Sequence, residues 1–410
     1  MLCMEPTGAV RGLRCPVCET IHPLDADQGC PDCDAACTVA YDNEAIDVDL
    51  FGEPPSDDND TESDRHHRPG QWRYDALLPF AAADAVTAGE GDTPLVAADQ
   101  LADELAVDSV YIKDESRNPT GTVYDRGMSL AATAIAARDE PTDVEPAALA
   151  TTGNSGQSAA AYLGQLGVRS YAFVPSRSAF SNKAMINVHG GEMQVVGGRY
   201  PDAVAAVDEQ LAGDYYSLQE FTTPYRHEGA KTLAFELFAD LGAVPDIVFI
   251  PASTGELVVG VAAGFEMLVD LDVTETTPTL VAVQPTGCAP IAAAVESDVD
   301  EPEPWAVPDT IVGELEVPEP AGGSQAVAAI DRLDGAAITV DDSEILESAV
   351  AAASTETVEM GAAGGAAPAG AWAHAEAGGF DGDETVVLLN TESGTKTPDI
   401  LRSHLMGPGG

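Results

Sequence analysis

Short apolar blocks recur through most of the chain, and Ala-rich amphipathic stretches of helical length separate them. The blocks have the length of buried β-strands. Alternation of strands with helices predicts an α/β fold with layers around a largely parallel sheet. The predicted strands are residues 109–113, 147–150, 170–174, 246–250, 279–283 and 384–390, and the predicted helices include 155–167, 226–241, 256–270 and the Gly/Ala tract 361–371.

The N-terminal part of the chain departs from this alternation. Residues 1–42 contain closely spaced cysteines and predict a small metal-ribbon module. Residues 43–70 are rich in charge and proline, which predicts a solvated acidic linker with an exposed histidine pair, His66 and His67. The α/β pattern fills residues 71–410, where the acidic, proline-bearing stretch 296–309 predicts a surface loop.

The charge balance limits the environments and the binding partners that can be expected for this protein. Of the 410 residues, 69 are Asp or Glu and 18 are Lys or Arg, for a net charge of −51. Such a surface repels nucleic acid and anionic membranes, so neither is an expected partner. Near-absence of lysine with acid enrichment indicates a salt-rich, halophilic cytoplasm, where screening makes the charge tolerable. With no apolar run of about 18 residues and no signal-peptide pattern, we expect a cytoplasmic protein.

Four cysteines form the pattern C-x2-C-x11-C-x2-C and predict a zinc site. Each CxxC pair presents two thiolates to one side of a tetrahedral ion, and the loop between them returns the second pair. His22 and Cys37 are less well spaced alternatives, and a ribbon without metal stays open. The ribbon is acidic, so its expected role is structural. The predicted ligands are Cys15, Cys18, Cys30 and Cys33.

Four polar, glycine-containing loops follow predicted strands. Ligands of open parallel sheets bind at the carboxyl ends of the strands, so these loops predict a cofactor cleft. The loops are KDESRNPTGTVYDRG (113–127), TTGNSGQS (151–158), PASTGEL (251–257) and TESGTKTPD (391–399).

In these loops and around them the chain resembles threonine synthase, within the fold type II, tryptophan-synthase-beta-like family of pyridoxal-phosphate (PLP) enzymes. The resemblance implies two three-layer α/β/α domains with mostly parallel sheets, PLP as cofactor, and a homodimer. It places a smaller subdomain at roughly 125–218 and a larger one at roughly 71–124 plus 219–410. Stretches that carry it, in family order, include LRCPVC, WRYDALLPF, GEGDTPLV, KDESRNPTGTVYDRGMS, TTGNSGQSAAAYLGQLG, PYRHEGAKTLAFEL, PASTGELVVGVAAGF and TESGTKTPD.

One departure from the family removes its central chemistry. The family motif reads NPTGSFKDRGM, and its lysine forms the Schiff base with PLP; Tyr124 stands at that position. A phenol forms no imine, and its ordinary pKa of about 10 makes it a poor base near neutrality. None of the four lysines lies beside Tyr124 in sequence: they are Lys113, Lys183, Lys231 and Lys396.

A second departure lies in the loop that cradles the cofactor phosphate in the family. There Glu256 puts a carboxylate where the family has glycine. Either it is a first-turn helix residue that points away, or its carboxylate takes the place of the phosphate. Other positions match the family, although Glu392 and Ser393 replace its usual Gly-His. By this resemblance, the residues at the cofactor site are Asn154, Ser253, Thr254, Gly255, Glu256 and Thr391.

Two functions remain open from the sequence. The first is a pseudoenzyme that no longer forms the PLP internal aldimine and uses a retained cleft to bind a small amino-acid-like ligand or to regulate. The alternative is an active lyase of the threonine synthase type, which converts O-phosphohomoserine to threonine and phosphate with a different lysine or with pre-formed PLP–amino-acid adducts. Tyr124 distinguishes the two, because the lysine is the nucleophile that defines the chemistry.

Overall fold

The computed structural model describes residues 4–46, 48–51 and 70–407, without the side chains of residues 49 and 50. The cysteine-bearing module is a three-stranded antiparallel sheet of order β2-β1-β3. Within the predicted linker, residues 52–69, with His66 and His67, lie outside the described residues. Phe51, just before them, stacks on Tyr74 with the two ring centroids 5.9 Å apart. The strands are β1 (Val10–Arg14), β2 (Ile21–His22) and β3 (Thr38–Tyr41).

The larger of the two remaining sheets has six strands in the order β12-β11-β10-β13-β5-β4. All neighbours are parallel except the edge strand β4, and apolar clusters cover both faces. Its strands are β4 (Leu95–Ala97), β5 (Ser109–Asp114), β10 (Ile247–Pro251), β11 (Thr279–Pro285), β12 (Ala336–Val340) and β13 (Thr385–Asn390). The helices around it are α1 (Asp99–Leu105), α6 (Tyr225–Leu241), α7 (Glu256–Asp270), α8 (Pro290–Glu296), α9 (Gly323–Arg332), α10 (Asp342–Thr355), α11 (Ala366–Glu376) and α12 (Pro398–Leu405).

The smaller sheet has four parallel strands in the order β8-β7-β6-β9. Helices α3 and α5 bury apolar side chains in two separate clusters, so this sheet is also covered on both faces. Its strands are β6 (Ala147–Ala150), β7 (Ser170–Pro175), β8 (Glu192–Val196) and β9 (Tyr216–Ser217), and the helices are α2 (Tyr124–Ala136), α3 (Asn154–Gln165), α4 (Phe180–Val188) and α5 (Tyr200–Leu211). The predicted α/β class with mostly parallel sheets is confirmed.

The Gly/Ala tract differs from its prediction. Its helix begins at Ala366, and residues 361–365 form a turn instead. Contacts with the chain after β13 hold that turn, because Gly361 N donates to Glu392 O at 3.0 Å and Ala362 N donates to Thr397 Oγ1 at 2.8 Å. Periodicity alone carries no information on such long-range bonds.

A buried ion cluster fixes α2 against α6. The fully buried Arg126 donates to both carboxylate oxygens of Glu115, at 2.7 and 2.8 Å, and of Glu236, at the same two distances. The helices cross closely at two glycines, since a Cβ at Gly127 or Gly229 would lie 2.6 or 2.4 Å from the carbonyl oxygen of the opposite helix. This crossing sets the positions of the first residues of both helices.

No helix among the described residues is long and apolar enough to cross a membrane.

Candidate functional site

The structure brings the four polar loops together at the carboxyl ends of the strands. Val123 N donates to Thr391 O at 3.0 Å, and Ser393 N donates to Gly121 O at the same distance. The amide of Asn154 joins the loop after β6 to the loop after β13 through Glu392. These bonds join three of the loops, and the loop after β10 completes the lining of the same cleft through Ser253.

Tyr124 is the first residue of α2 and faces the loop after β10. Its half-buried side chain lies beside Ser253, and the guanidinium carbon of Arg226 lies 5.5 Å from the ring centroid. Such a cation over a ring face is attractive. Burial, followed by the nearby Glu256 carboxylate, raises the pKa of Tyr124 above its ordinary value. The phenol is therefore still less able to lose its proton near neutrality than a free tyrosine.

Glu256 begins α7, and its carboxylate faces Arg226 beside Tyr124 and not solvent. It is buried and accepts two hydrogen bonds from Arg226, at 2.8 and 2.6 Å. Arg226 also contacts Glu220 at 3.1 Å and donates to Leu218 O at 3.0 Å. Burial disfavours charge on the guanidinium, but Glu256 and Glu220 hold the pKa of Arg226 above its ordinary value. An ion pair thus occupies the positive end of the helix.

The loop before this helix keeps the backbone of a close-approach turn. Gly255 has φ of +89°, and a Cβ there would lie 2.6 Å from Gly322 O. Glycine is therefore required at this position. The gap between Tyr124 and residues 251–258, however, is too small to hold even one water molecule.

Glu392 fills a second part of the cleft. It is fully buried, accepts from the Asn154 amide, and accepts from Ala363 N at 3.3 Å. The Asn154 amide thus bonds to Glu392 and not to Tyr124, and Asn154 Oδ1 has no partner among the described residues. Glu392 also explains why residue 361 is a glycine, because a Cβ added there would lie 2.2 Å from the Glu392 carboxylate.

Two spaces of different size remain. The inner cleft, lined by Tyr124, Asn154, Ser253 and Thr391, has a volume of about 20 Å³, which is enough for roughly one water molecule. The outer cavity has a volume of about 240 Å³, and Glu314 lines both spaces. The charged residues of the outer cavity are Arg177, Arg199, Glu314, Glu316, Lys396 and Asp399.

Sequence reasoning missed the role of the arginines and of Glu314. The signal that could have found the arginines is the scarcity of basic residues. With 18 Lys and Arg against 69 acidic residues, every basic residue outside a surface ion pair is a candidate for a functional role. Arg226 lies within the stretch PYRHEGAKT that carries the resemblance, yet only the fold places it against Glu256.

The four lysines have different surroundings. Lys113 and Lys231 are buried in ion pairs with Glu236 and Glu228, at 2.9 and 2.7 Å. Lys183 Nζ donates to Ser176 O at 2.8 Å. Only Lys396 lines the outer cavity, where its Nζ donates to Gln157 at 2.6 Å. Burial lowers the pKa of Lys396, although Glu392 acts against that shift.

The four predicted cysteine ligands lie together in the ribbon, with all four sulfur atoms within 4.8 Å of one another. Cys15 Sγ lies 3.5 Å from Cys33 Sγ, and Cys18 Sγ lies 3.6 Å from Cys30 Sγ. A second set of possible ligands, Cys18, His22, Cys30 and Asp32, overlaps with the first. The cluster can hold a metal ion.

Comparison with known proteins agrees with this architecture. The family described as pyridoxal-phosphate dependent enzyme matches residues 86–392. A threonine synthase of Methanosarcina acetivorans is 30% identical over 95% of this chain and 93% of its own length. That of Methanocaldococcus jannaschii is 30% identical over 94% of this chain and 93% of its own.

Solved structures share the fold at lower identity. Diaminopropionate ammonia lyase from Escherichia coli has a TM-score of 0.67 at 20% identity, covering 87% of this chain and 94% of that one. A fungal L-serine ammonia-lyase from Rhizomucor miehei has a TM-score of 0.66 at 20% identity, covering 77% and 97%. The predicted fold type II architecture is confirmed. The chain belongs to the pyridoxal-phosphate-dependent enzyme family, with threonine synthases among its relatives.

Proposed function

We propose that the protein is a threonine-synthase-like pseudoenzyme, which forms no internal aldimine with PLP and uses the remaining cleft for binding. The observation that carries this proposal is Tyr124, at the start of α2, where the family resemblance expects the lysine. Its phenol has no amine to condense with an aldehyde. Burial and Glu256 raise its pKa, so it is also no proton shuttle near neutrality.

The residues around Tyr124 do not fit the cofactor. A phosphate at the start of α7 would meet the Glu256 carboxylate, which already holds Arg226. Two anions in contact repel, more strongly when buried than in water. The inner cleft, at about 20 Å³, is also far too small for a pyridine ring. Thr254 Oγ1 and Asn154 Oδ1 are buried without partners among the described residues, and are remnants of a polar site.

A reductive trapping experiment tests the proposal. The protein, purified in concentrated KCl, is incubated with PLP and reduced with borohydride, and pyridoxylated peptides are identified by mass spectrometry. The samples are the natural protein, Tyr124→Lys, and Tyr124→Lys combined with Glu256→Gly. A Lys183→Arg variant identifies non-specific reaction at the one lysine outside the buried clusters.

We expect no stoichiometric adduct in the natural protein and an adduct on the introduced lysine in the double variant. The expected order is the double variant above Tyr124→Lys alone, because removal of Glu256 frees Arg226 and the loop amides for a phosphate. A stoichiometric adduct in the natural protein that is lost in Lys396→Arg would overturn the proposal and favour the active lyase, since Lys396 is the lysine that lines the outer cavity.

We also propose that the ribbon holds one structural zinc ion on Cys15, Cys18, Cys30 and Cys33. Support comes from sulfur separations of 3.5 and 3.6 Å across the two CxxC pairs. Zinc–sulfur bonds of about 2.3 Å in a tetrahedron put neighbouring sulfurs at nearly this separation. Four thiolates form a closed site, which is typical of a structural ion.

Elemental analysis of the purified protein tests the zinc proposal. We expect one zinc per chain, lost in Cys18→Ser and retained in Cys288→Ser, a buried cysteine outside the cluster. His22→Gln distinguishes the two ligand sets: loss of zinc in that variant would favour the set with His22 and Asp32. Full zinc content in Cys18→Ser would reject both.

A further inference from the structure

The outer cavity gathers basic side chains in a protein that has few of them, together with three acidic ones. Three of the chain's 18 Lys and Arg residues line this one space of about 240 Å³: Arg177, Arg199 and Lys396. Both arginines contact the same carboxylate, that of Glu316; Arg177 Nη1 lies 3.3 Å from it. Two guanidinium groups thus share one carboxylate at this end of the cavity, although the exposed Asp399 also lines the space.

The contacts leave donors free to reach a ligand. Each guanidinium has five N–H donors, and the contacts with Glu316 use a single nitrogen, Nη1, of each arginine. The two side chains are partly exposed, at 48% for Arg177 and 34% for Arg199. An anionic group that enters from solvent therefore meets this end first.

The inner end of the cavity has the opposite character. Glu314 is 8% exposed and separates the outer cavity from the inner cleft. Its Oε1 accepts a long bond of 3.4 Å from Asn182, whereas its Oε2 is buried with no hydrogen-bond partner among the described residues. Asn182 Oδ1 is buried and unpartnered in the same way. Of these two, Glu314 lines the cavity, and its unpartnered carboxylate oxygen points to a missing donor group.

The nearest charges do not supply that donor. Burial and the neighbouring Glu392 raise the pKa of Glu314 to about 8, and Lys396 only partly opposes this rise. The Lys396 ammonium is instead bonded to Gln157. A ligand ammonium against Glu314 Oε2 would provide both the missing hydrogen bond and the missing positive charge.

We propose that the outer cavity is a non-covalent binding site for a free amino acid, with the ligand ammonium on Glu314 and its anionic group on Arg177 and Arg199. The volume suits a ligand of this size, since pockets for drug-sized molecules begin at about 300 Å³. The inference rests on the proposed loss of the aldimine, because an amino acid bound through PLP would have its nitrogen at the cofactor and not at Glu314. Recognition here needs no cofactor.

The test measures thermal stabilisation of the full chain in concentrated KCl. The twenty L-amino acids are added one at a time without PLP, and the best one is compared with its N-acetyl derivative and with inorganic phosphate. A ligand that binds only the folded state raises the Tm by mass action. Dissociation constants are then measured by calorimetry for the natural protein, Glu314→Gln and Arg199→Gln. Glu266→Gln and Arg332→Gln, which remove the partners of a surface ion pair, are the matched controls.

We expect at least one amino acid to raise the Tm and its N-acetyl derivative to have no effect. Glu314→Gln and Arg199→Gln should each weaken binding by about tenfold or more, as loss of a charge-assisted bond does, and the controls should bind normally. Equal stabilisation by the N-acetyl derivative, stabilisation by phosphate alone, or no effect of any amino acid would overturn the assignment.

The same preparation is also subjected to PLP and borohydride, so that the two proposals fail separately. An adduct in the natural protein contradicts the pseudoenzyme. No adduct together with no amino-acid binding contradicts only the site proposed for the outer cavity.

Discussion

The inner cleft and the outer cavity adjoin at Glu314, yet their polar groups are arranged in opposite ways. In the inner cleft, side chains of the protein satisfy one another: Arg226 pairs with Glu256, and Asn154 donates to Glu392. In the outer cavity, arginines share one carboxylate and Glu314 Oε2 has no partner among the described residues. The first region is closed by internal partners, whereas the second still has unmet bonding capacity.

Two buried glutamates make the difference clear. Glu256 and Glu314 are 3% and 8% exposed, and burial raises the pKa of both. The bidentate Arg226 opposes that rise at Glu256, although Glu220 adds to it. At Glu314, Glu392 adds to the rise, and Lys396, which opposes it, is hydrogen-bonded to Gln157 instead. A buried carboxylate with a dedicated cation stabilises its surroundings only as part of the pair. One without such a cation is a candidate for contact with a ligand.

The largest expected effect comes from removal of Arg226. Arg226→Leu leaves Glu256 and Glu220 buried beside each other without their cation. Loss of one partner of a buried pair costs about 3–5 kcal/mol, so the free energy of unfolding should fall by that amount in denaturant titrations. Arg332→Leu, which breaks an exposed pair with Glu266, should cost about 0–1 kcal/mol.

Equal losses of unfolding free energy in the two arginine variants would contradict this comparison, because the buried pair of Arg226 and Glu256 would then contribute no more to stability than the exposed pair of Arg332 and Glu266. The double variant Arg226→Met, Glu256→Leu should recover part of the loss, since it removes Arg226 and Glu256 together and leaves only Glu220, which also accepts from Tyr200 and Gln219, without its cation.

Glu314→Gln should have a smaller effect of opposite sign that depends on pH. The pKa of Glu314 rises from 4.5 to about 8 on folding, so the folded state binds the proton more tightly than the unfolded state. Stability from this residue is therefore present below pH 4.5 and is lost as pH rises toward 8. The variant should be more stable than the natural protein by on the order of 2–4 kcal/mol above pH 8, with the difference vanishing near pH 4.5.

Thermal unfolding across this pH range measures the effect, and Glu301→Gln, in an exposed loop, controls for the loss of one negative charge. A constant difference at every pH, or destabilisation by Glu314→Gln above pH 8, would show that Glu314 has a cation partner and that the outer cavity resembles the inner cleft.

The smallest expected effect is that of Tyr124→Phe. The change removes the hydroxyl beside Ser253 and keeps the ring near Arg226. A single hydrogen bond contributes about 0.5–1.5 kcal/mol, so calorimetric unfolding should show a loss no larger than that. Tyr215→Phe, which loses a bond to Asp208, is the matched change elsewhere. A loss above about 3 kcal/mol for Tyr124→Phe would mean that the phenol hydroxyl organises the inner cleft.

The sequence predicted those features of the molecule that depend on residues close together in the chain. The strand and helix pattern, the two CxxC pairs and the absence of lysine at position 124 were all readable without coordinates. The start of helix α11 was not, because bonds to Glu392 and Thr397, which follow β13, hold residues 361–365 in a turn. The function of Glu256 was left with two alternatives, since its direction depends on Arg226, 30 residues away.

By itself, the sequence determined that the chain has an α/β pattern and carries a tyrosine at position 124, where the resemblance expects a lysine, because periodicity and residue identity are local properties. Only the tertiary structure decided how the cleft is filled and where it stays open. It pairs Arg226 with Glu256, seats Glu392 against Asn154, and brings Arg177, Arg199 and Glu314 from separate segments to one cavity. The reason is that charge compensation inside a protein depends on distances between segments remote in sequence, which the fold alone sets.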